Sequence, residues 1–153
     1  GLKTTVIRHS NVFGPFDKFD LEKSHVLGAS IRKVLNAADG EVINVWGSGE
    51  ARRDFLFIND LISFIEKASN FQVQKYGLYN CGMGYSLSIN ELVNKIISVS
   101  NKNLKIKNDL SQPDIPTALS LDCSKASREI GWKNSCNFEQ ALKETYLWAE
   151  KNI

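Results

Sequence analysis

The chain is poor in the residues that usually announce a chemistry. Among its 153 residues stand three cysteines, Cys81, Cys123 and Cys136, two histidines, three prolines and one methionine. The cysteines are odd in number and lack C-x-x-C spacing. That disfavours a disulfide framework or a zinc site and favours free thiols in a reducing compartment. No apolar run approaches the ~20 residues a bilayer span requires. Nineteen Lys and Arg against seventeen Asp and Glu leave a net charge of +2, too small a surplus to argue for nucleic acid or an anionic membrane. There is no G-x-G-x-x-G, no Walker loop, no H-E-x-x-H and no G-x-S-x-G, so no self-contained catalytic set is visible. Internal repeats and low-complexity tracts are absent too.

What is present is the composition of a soluble globular protein, 42% hydrophobic and 24% charged, at a length that fits one domain or part of a larger one. The sequence drops at once into Thr4-Thr5-Val6-Ile7 without a charged-then-apolar leader, and residues 4–8 read as a short buried strand. A strand so early, with nothing before it to pair with, leads to the expectation that the chain begins inside a fold. Asn11-Val12-Phe13-Gly14-Pro15 reads as a breaker-rich loop. Val26, Leu27, Ile31, Val34 and Leu35 recur at helical spacing and predict a helix over about 25–38. Val42 to Trp46 is a strand, Gly47-Ser48-Gly49 a turn, and Asp54 to Ile58 a second strand. Asn59 is the expected cap of a helix carrying Leu61, Ile62, Phe64, Ile65 and Ala68. Leu78 to Cys81 is a short strand. Ser88 and Glu91 then form a capping box, with Leu87 placed to staple onto Leu92. Leu104–Ile106 and Ala118–Leu121 are expected strands around a polar loop, Asp122 the expected cap of a short helix stopped by Gly131-Trp132. Asn137 with Gln140 opens the last helix, which carries Ala141, Leu142, Tyr146 and Trp148. Alternating strands and helices give the α/β class.

The groups able to carry chemistry are few, and each has an ordinary reading beside its functional one. His25, at a helix start after a polar loop, suits a general acid or base, or a surface or capping position; His9 leaves the same choice. Arg52-Arg53-Asp54 follows a glycine turn, and an arginine there can fork onto a phosphate, stay solvated or pair with Asp54. Trp46 offers a flat face to a ring, or simply packs. Asn11 can present its amide to a ligand or close an Asx turn. The cysteines read as packing.

Order and spacing say more than any one residue. Asn11-Val12-Phe13-Gly14-Pro15, then Ser24-His25-Val26, then Val45-Trp46-Gly47-Ser48-Gly49, then Arg53-Asp54-Phe55 resemble the extended short-chain dehydrogenase/reductases that act on nucleotide sugars, the NAD-dependent epimerase/dehydratase family. Tyr79-Asn80-Cys81-Gly82-Met83-Gly84 and Ser124-Lys125-Ala126 with Gly131-Trp132 extend the resemblance over essentially the whole chain. Within the family it is nearest the GDP-L-fucose synthases.

The resemblance implies the C-terminal part of an NAD(P)-binding Rossmann-like extended fold together with its small mixed α/β substrate-binding domain. Residues 1–153 would then be a fragment: the substrate domain plus the last strand-helix units of the dinucleotide-binding sheet, with the N-terminal cofactor half elsewhere. It implies an NAD(P)-dependent epimerase/reductase of GDP-4-keto-6-deoxymannose type as parent. A UDP-sugar 4-epimerase, a dTDP-sugar dehydratase or a non-catalytic sugar-nucleotide sensor are the alternatives. By the same resemblance His9, Ser10, Asn11 and Val12, with His25, lie beside the nicotinamide of NADP or NAD, and His25 is the proton donor in epimerisation. Asn11, Lys33, Trp46 and Arg53 meet the nucleotide-diphosphate sugar, Trp46 at the base and Arg53 at the diphosphate. No metal is implied. A homo-oligomer in the cytoplasm, making sugars for surface polysaccharide, is the expected setting. The family's glycine-rich turn and Ser…Tyr-x-x-x-Lys set are not in this chain, so the chain alone is expected not to catalyse. The late loop departs from the fucose synthases: it reads Gln112-Pro113-Asp114-Ile115 where they have Lys-Pro-Asp-Gly, and Ala118 stands where an arginine would fall. His9 stands where a proline or similar residue is usual.

Overall fold

A computed structural model describes all 153 residues. Its first strand, β1 (Thr4–His9), is followed closely by β2 (Asn11–Phe13) and, after a long loop, by α1 (Val26–Asn36). Strand β3 (Val42–Trp46) leads through a glycine turn to β4 (Arg52–Arg53) and β5 (Phe55–Phe57), and α2 (Ile58–Phe71) follows. Then come β6 (Tyr76–Cys81), β7 (Leu87–Ser88), α3 (Ile89–Ser100), β8 (Lys105–Asp109), α4 (Ser124–Ile130) and α5 (Phe138–Asn152). The strands pair two by two. β1 runs parallel to β6, β2 to β5 and β3 to β8, while β4 and β7 are antiparallel. Parallel pairs need crossover connections, and the intervening helices supply them.

Two cores result. The larger joins α1, α3 and α5 to β3 through Ile31, Val34, Ile43, Val45, Leu92, Ile96 and Leu142. Phe138 opens α5 and meets Phe13 and Phe55, at ring-centroid distances of 5.4 Å and 6.3 Å. The smaller core lies between the β1–β6 pair, α2 and α4, around Leu56, Phe64, Tyr79, Cys81 and Trp132. The Trp132 indole is fully buried and satisfied, donating from Nε1 to the Asp60 carbonyl at 3.1 Å.

Two buried carboxylates tie these parts together. Asp54 is wholly buried. Its Oδ1 accepts from the Met83 N–H at 2.7 Å, and its Oδ2 from Leu121 at 3.0 Å and Gly84 at 3.3 Å. Its carbonyl accepts both the backbone N–H of Asn11 and the Asn11 side-chain amide, at 3.1 Å and 2.8 Å. Asp60 accepts from Ser135 and from the Cys136 N–H, holding the chain between α4 and α5.

Several sequence expectations are corrected here. Residues 4–8 are not a buried strand: Thr4, Val6 and Arg8 are exposed, because only one face of the β1–β6 pair is covered. The Asn11 loop begins as a strand, drawn into pairing by Phe55–Phe57. Phe57, not Asn59, is the N-cap of α2, since the chain passes directly from strand to helix. Ala118–Leu121 makes one bridge, Arg52 to Ala118, and no strand. Cys123, not Asp122, is the N-cap of α4, although the Asp122 side chain still accepts from the Ser124 N–H at 2.8 Å. The Ser88–Glu91 capping box, the Asn137 cap and the left-handed Gly131 at the end of α4 are all present. The three cysteines are free, and burial pushes the Cys81 thiol up to about 12. No helix is long and apolar enough to cross a membrane.

Asp54→Asn removes one acceptor oxygen and turns an amide donor toward backbone N–H groups. Leaving a buried donor unsatisfied costs about 1–3 kcal/mol, and a loss of that order in unfolding free energy is expected. Chemical denaturation checks it; an unchanged midpoint would show that these bonds do not hold the fold.

Candidate functional site

A cleft of about 690 Å³ opens between α1, β3, the glycine turn and the loop after β8. Alternation along β3 builds its floor. Ile43 and Val45 turn into the core, whereas Asn44 and Trp46 turn outward, as a two-residue period requires. Trp46 is 64% exposed, which excludes the core-packing reading of this tryptophan. Lys33, from the last turns of α1, reaches across: its Nζ donates to the Asn44 carbonyl at 2.9 Å and lies 6.0 Å from the Trp46 ring centroid. Burial lowers the Lys33 ammonium below the ordinary lysine value.

The turn after Trp46 is clamped from two sides. Gly47 and Gly49 both have positive φ, 66° and 73°, conformations that favour glycine. At Gly47 a β-carbon would stand 2.8 Å from the Asp114 β-carbon. The Asp114 carboxylate accepts from the Ser48 N–H at 2.9 Å, and Ser48 holds that carboxyl below its usual range. From α3, the Asn90 amide donates to the Ser48 carbonyl at 3.0 Å.

The two adjacent arginines have opposite fates. Arg52 is consumed within the fold, donating to the Ser86 carbonyl at 2.7 Å and pairing with Glu91 at 3.0 Å. Arg53 faces the cleft and has no carboxylate partner; its Nη1 donates to the Arg52 carbonyl and to the Thr117 hydroxyl. Its Nε and Nη2 make no bond within the chain, leaving part of the guanidinium fork open to an anion. Pairing of the arginines with Asp54 is corrected, since that carboxylate is taken by backbone N–H groups.

The structure thus gathers Lys33, Trp46 and Arg53 on one cleft. His25 is the N-cap of α1 and makes no side-chain cap bond. It is exposed at the cleft rim, between the lining residues Ser24 and Val26. His9, Ser10, Asn11 and Val12 lie apart, at the corner between β1 and β2. There the His9 Nδ1 donates to the Ser10 carbonyl at 2.8 Å, leaving Nε2 as the free acceptor when the ring is neutral. The Ser10 hydroxyl is buried without a partner, and the Asn11 amide is turned to Asp54, leaving its oxygen unbonded. Sequence reasoning missed Asn44, Asp114 and Glu22 as lining groups. Only Asp114 carried a signal, as the preserved Pro-Asp of the late loop. Gly28 also matters to this wall: a β-carbon there would overlap the Lys18 carbonyl, so glycine lets the loop bearing Leu21, Glu22 and Ser24 lie on α1.

Residues 1–82 match the sequence model of the NAD dependent epimerase/dehydratase family. The chain belongs to this family. It is 36% identical over 149 residues to a probable GDP-L-fucose synthase 1 of Oryza sativa subsp. japonica, covering 94% of this chain and 44% of that protein. Among solved structures it resembles the NADP-bound GDP-L-fucose synthetase of Naegleria fowleri, with a TM-score of 0.87 and 28% identity. That match covers 97% of this chain and 47% of the other. It resembles a UDP-N-acetylglucosamine 4-epimerase from Methanobrevibacter ruminantium M1 equally in identity, 28%, with a TM-score of 0.85 over 99% of this chain and 47% of that one. The chain spans less than half the length of these relatives. Its fold is that of the extended Rossmann-like epimerases, mixed α/β, as the resemblance implied.

The lowered Lys33 has a consequence for pH. Its proton leaves at lower pH than an exposed lysine's, so affinity of the cleft for an anion is expected to fall early on the alkaline side. Lys33→Met removes that limb of the profile. Stability has the opposite slope, because over the same window the unfolded chain holds the extra proton and the cost of burying this group fades as pH rises. Titration calorimetry with a nucleoside diphosphate across neutral to alkaline pH checks the first effect. A profile unchanged by Lys33→Met contradicts it.

Proposed function

We propose that this chain is the sugar-nucleotide-binding half of an NAD(P)-dependent nucleotide-sugar epimerase/reductase of GDP-L-fucose synthase type. The observation that carries the reading is the convergence of Lys33, Trp46 and an Arg53 without counter-ion on one cleft of about 690 Å³. An exposed indole suits stacking on a nucleobase, and a free guanidinium with a neighbouring ammonium suits a diphosphate. Anchoring the remote nucleotide in this way positions the sugar for reaction. His25, with an unengaged imidazole at the rim, is the group placed to hand a proton to the sugar.

The corner at His9, Ser10, Asn11 and Val12 fits a nicotinamide dinucleotide, NADP or NAD. An unpartnered Ser10 hydroxyl and a free Asn11 carbonyl oxygen are hydrogen-bonding groups a polar ligand would satisfy. When bound, such a cofactor supplies the hydride acceptor or donor. The Naegleria fowleri relative is a complex with NADP, and the dTDP-glucose 4,6-dehydratase of Bacillus anthracis, 26% identical, is a complex with NAD. The cofactor's main site falls to an N-terminal half outside residues 1–153, and without it the chain alone does not catalyse. A homo-oligomer in the cytoplasm is the expected setting of the whole enzyme.

A UDP-sugar 4-epimerase is the second reading, and the late loop favours it. That loop roofs the cleft through Pro113, Asp114 and Ile115, yet it lacks the lysine and arginine of the fucose synthases. Titration of the chain with GDP-, UDP- and dTDP-sugars separates the two. Saturable binding of the GDP-sugar, weakened by Arg53→Ala about tenfold or more, supports the first reading, since a charge-assisted hydrogen bond contributes about 1.5–3 kcal/mol. Preference for the UDP-sugar supports the second, and binding indifferent to Arg53→Ala contradicts the assigned site.

A further inference from the structure

One polar atom on the cleft wall has no use within the fold. Ser30 stands in the middle of α1, is only 6% exposed and lines the cleft, yet its hydroxyl bonds to no group of the chain. Serines and threonines inside helices can turn the hydroxyl back onto the carbonyl three or four residues earlier. Thr145, the other buried residue of this kind inside a helix, does so, donating to the Ala141 carbonyl at 2.7 Å. Ser69 and Ser100 do the same to the carbonyls of Ile65 and Ile97, at 2.8 Å and 2.7 Å. Ser30 leaves the Val26 carbonyl alone. Nor is its oxygen sealed away: the hydroxyl oxygens both sealed and unpartnered are those of Ser10 and Tyr146.

The surroundings of this hydroxyl are apolar. Ile43 and Val45 from β3, with Ile89 and Val93 from α3, line the same cleft, and all but Ile89 are buried. A phosphate or the hydroxyls of a pentose would give up water there for a single partner, which is unfavourable. A flat heteroaromatic ring suits such walls, having apolar faces and its hydrogen-bonding groups along one edge. The exposed Trp46 indole offers a face to the same ring. A serine hydroxyl both donates and accepts, so it matches an edge where an exocyclic oxygen adjoins a ring N–H, as in guanine and uracil.

We propose that Ser30 is the base-reading residue of the cleft, its hydroxyl bonding to the polar edge of a nucleobase whose face lies on Trp46. This deepens the reading of the cleft as a sugar-nucleotide site and rests on it. The labour is divided by chemistry. Arg53 and Lys33 answer to charge and are indifferent to the base, whereas an uncharged hydroxyl among apolar side chains answers to the base alone.

Titration calorimetry tests this on wild type, Ser30→Ala and Arg53→Ala, each against GDP, UDP, their 2′,3′-dideoxy forms and inorganic pyrophosphate. Ser30→Ala removes no bond within the chain, and alanine is the better helix former, so its denaturation midpoint is expected to hold or rise. It is expected to weaken the better-bound of GDP and UDP about three- to tenfold. The dideoxy form should lose the same factor, and pyrophosphate nothing. Arg53→Ala should weaken nucleotides and pyrophosphate alike. Nucleotide affinity untouched by Ser30→Ala would overturn the proposal, as would a loss shared with pyrophosphate. A loss that disappears with the dideoxy nucleotide would assign the hydroxyl to the ribose and overturn it too. Each of these defeats Ser30 alone while Arg53→Ala still weakens binding; nucleotide binding indifferent to Arg53→Ala defeats the sugar-nucleotide reading itself.

Discussion

A carboxylate buried with no cation beside it sets the geometry of most of this molecule. Asp54 sits between the strand that bears Arg53 and the strand that runs into the smaller core, and its two oxygens gather backbone N–H groups from Met83, Gly84 and Leu121. Its carbonyl meanwhile holds both amide groups of Asn11. Segments distant in sequence, the β1–β2 corner, the end of β6 and the return of the late loop, are thereby fixed to one residue. Gly82 is glycine for the same reason, since a β-carbon there would stand 2.7 Å from Asp54 Oδ2.

The arrangement has an electrostatic consequence. Because backbone donors satisfy Asp54, the carboxylate does not compete for its neighbour Arg53. Glu91 plays the complementary part by capping α3 and holding Arg52 at once; the Ser88 N–H bond and that guanidinium keep its carboxyl below the usual range. Of two sequence-adjacent guanidinium groups, one becomes part of the fold and one remains open on the cleft. The roof over that cleft is then built by the late loop, which touches Ser48 through Asp114 and Arg53 through Thr117. The polar late loop thus reaches both the turn after Trp46 and the Arg53 guanidinium.

Local signals were legible where they are self-contained. The Ser88–Glu91 box, the Asn137 cap and the Gly131 stop each depend on residues a few positions apart. Expectations failed where distant partners decide. Asn59 is a good cap by type, but pairing of Phe55–Phe57 with β2 carries the chain straight into α2. β1 has the β-branched composition of a buried strand, yet half of it is bare because only one face of the β1–β6 pair is covered. The candidate site was legible only as an ordered set of phrases. Residue type alone could not say which of Arg52 and Arg53 would be free, since that follows from Ser86, Glu91 and Thr117, remote in sequence.

The central claim is that Trp46, Lys33 and Arg53 form one sugar-nucleotide site, and the three tryptophans provide a direct way to examine it. Trp46 is exposed on the cleft, Trp132 is fully buried in the smaller core, and Trp148 packs against Phe16 and Phe19 and does not line the cleft. Indole N–H resonances recorded while a GDP-sugar is added should therefore respond unequally. A saturable shift of the Trp46 signal, with those of Trp132 and Trp148 unmoved, is the expected result. Saturable binding that leaves the Trp46 signal in place would contradict the account.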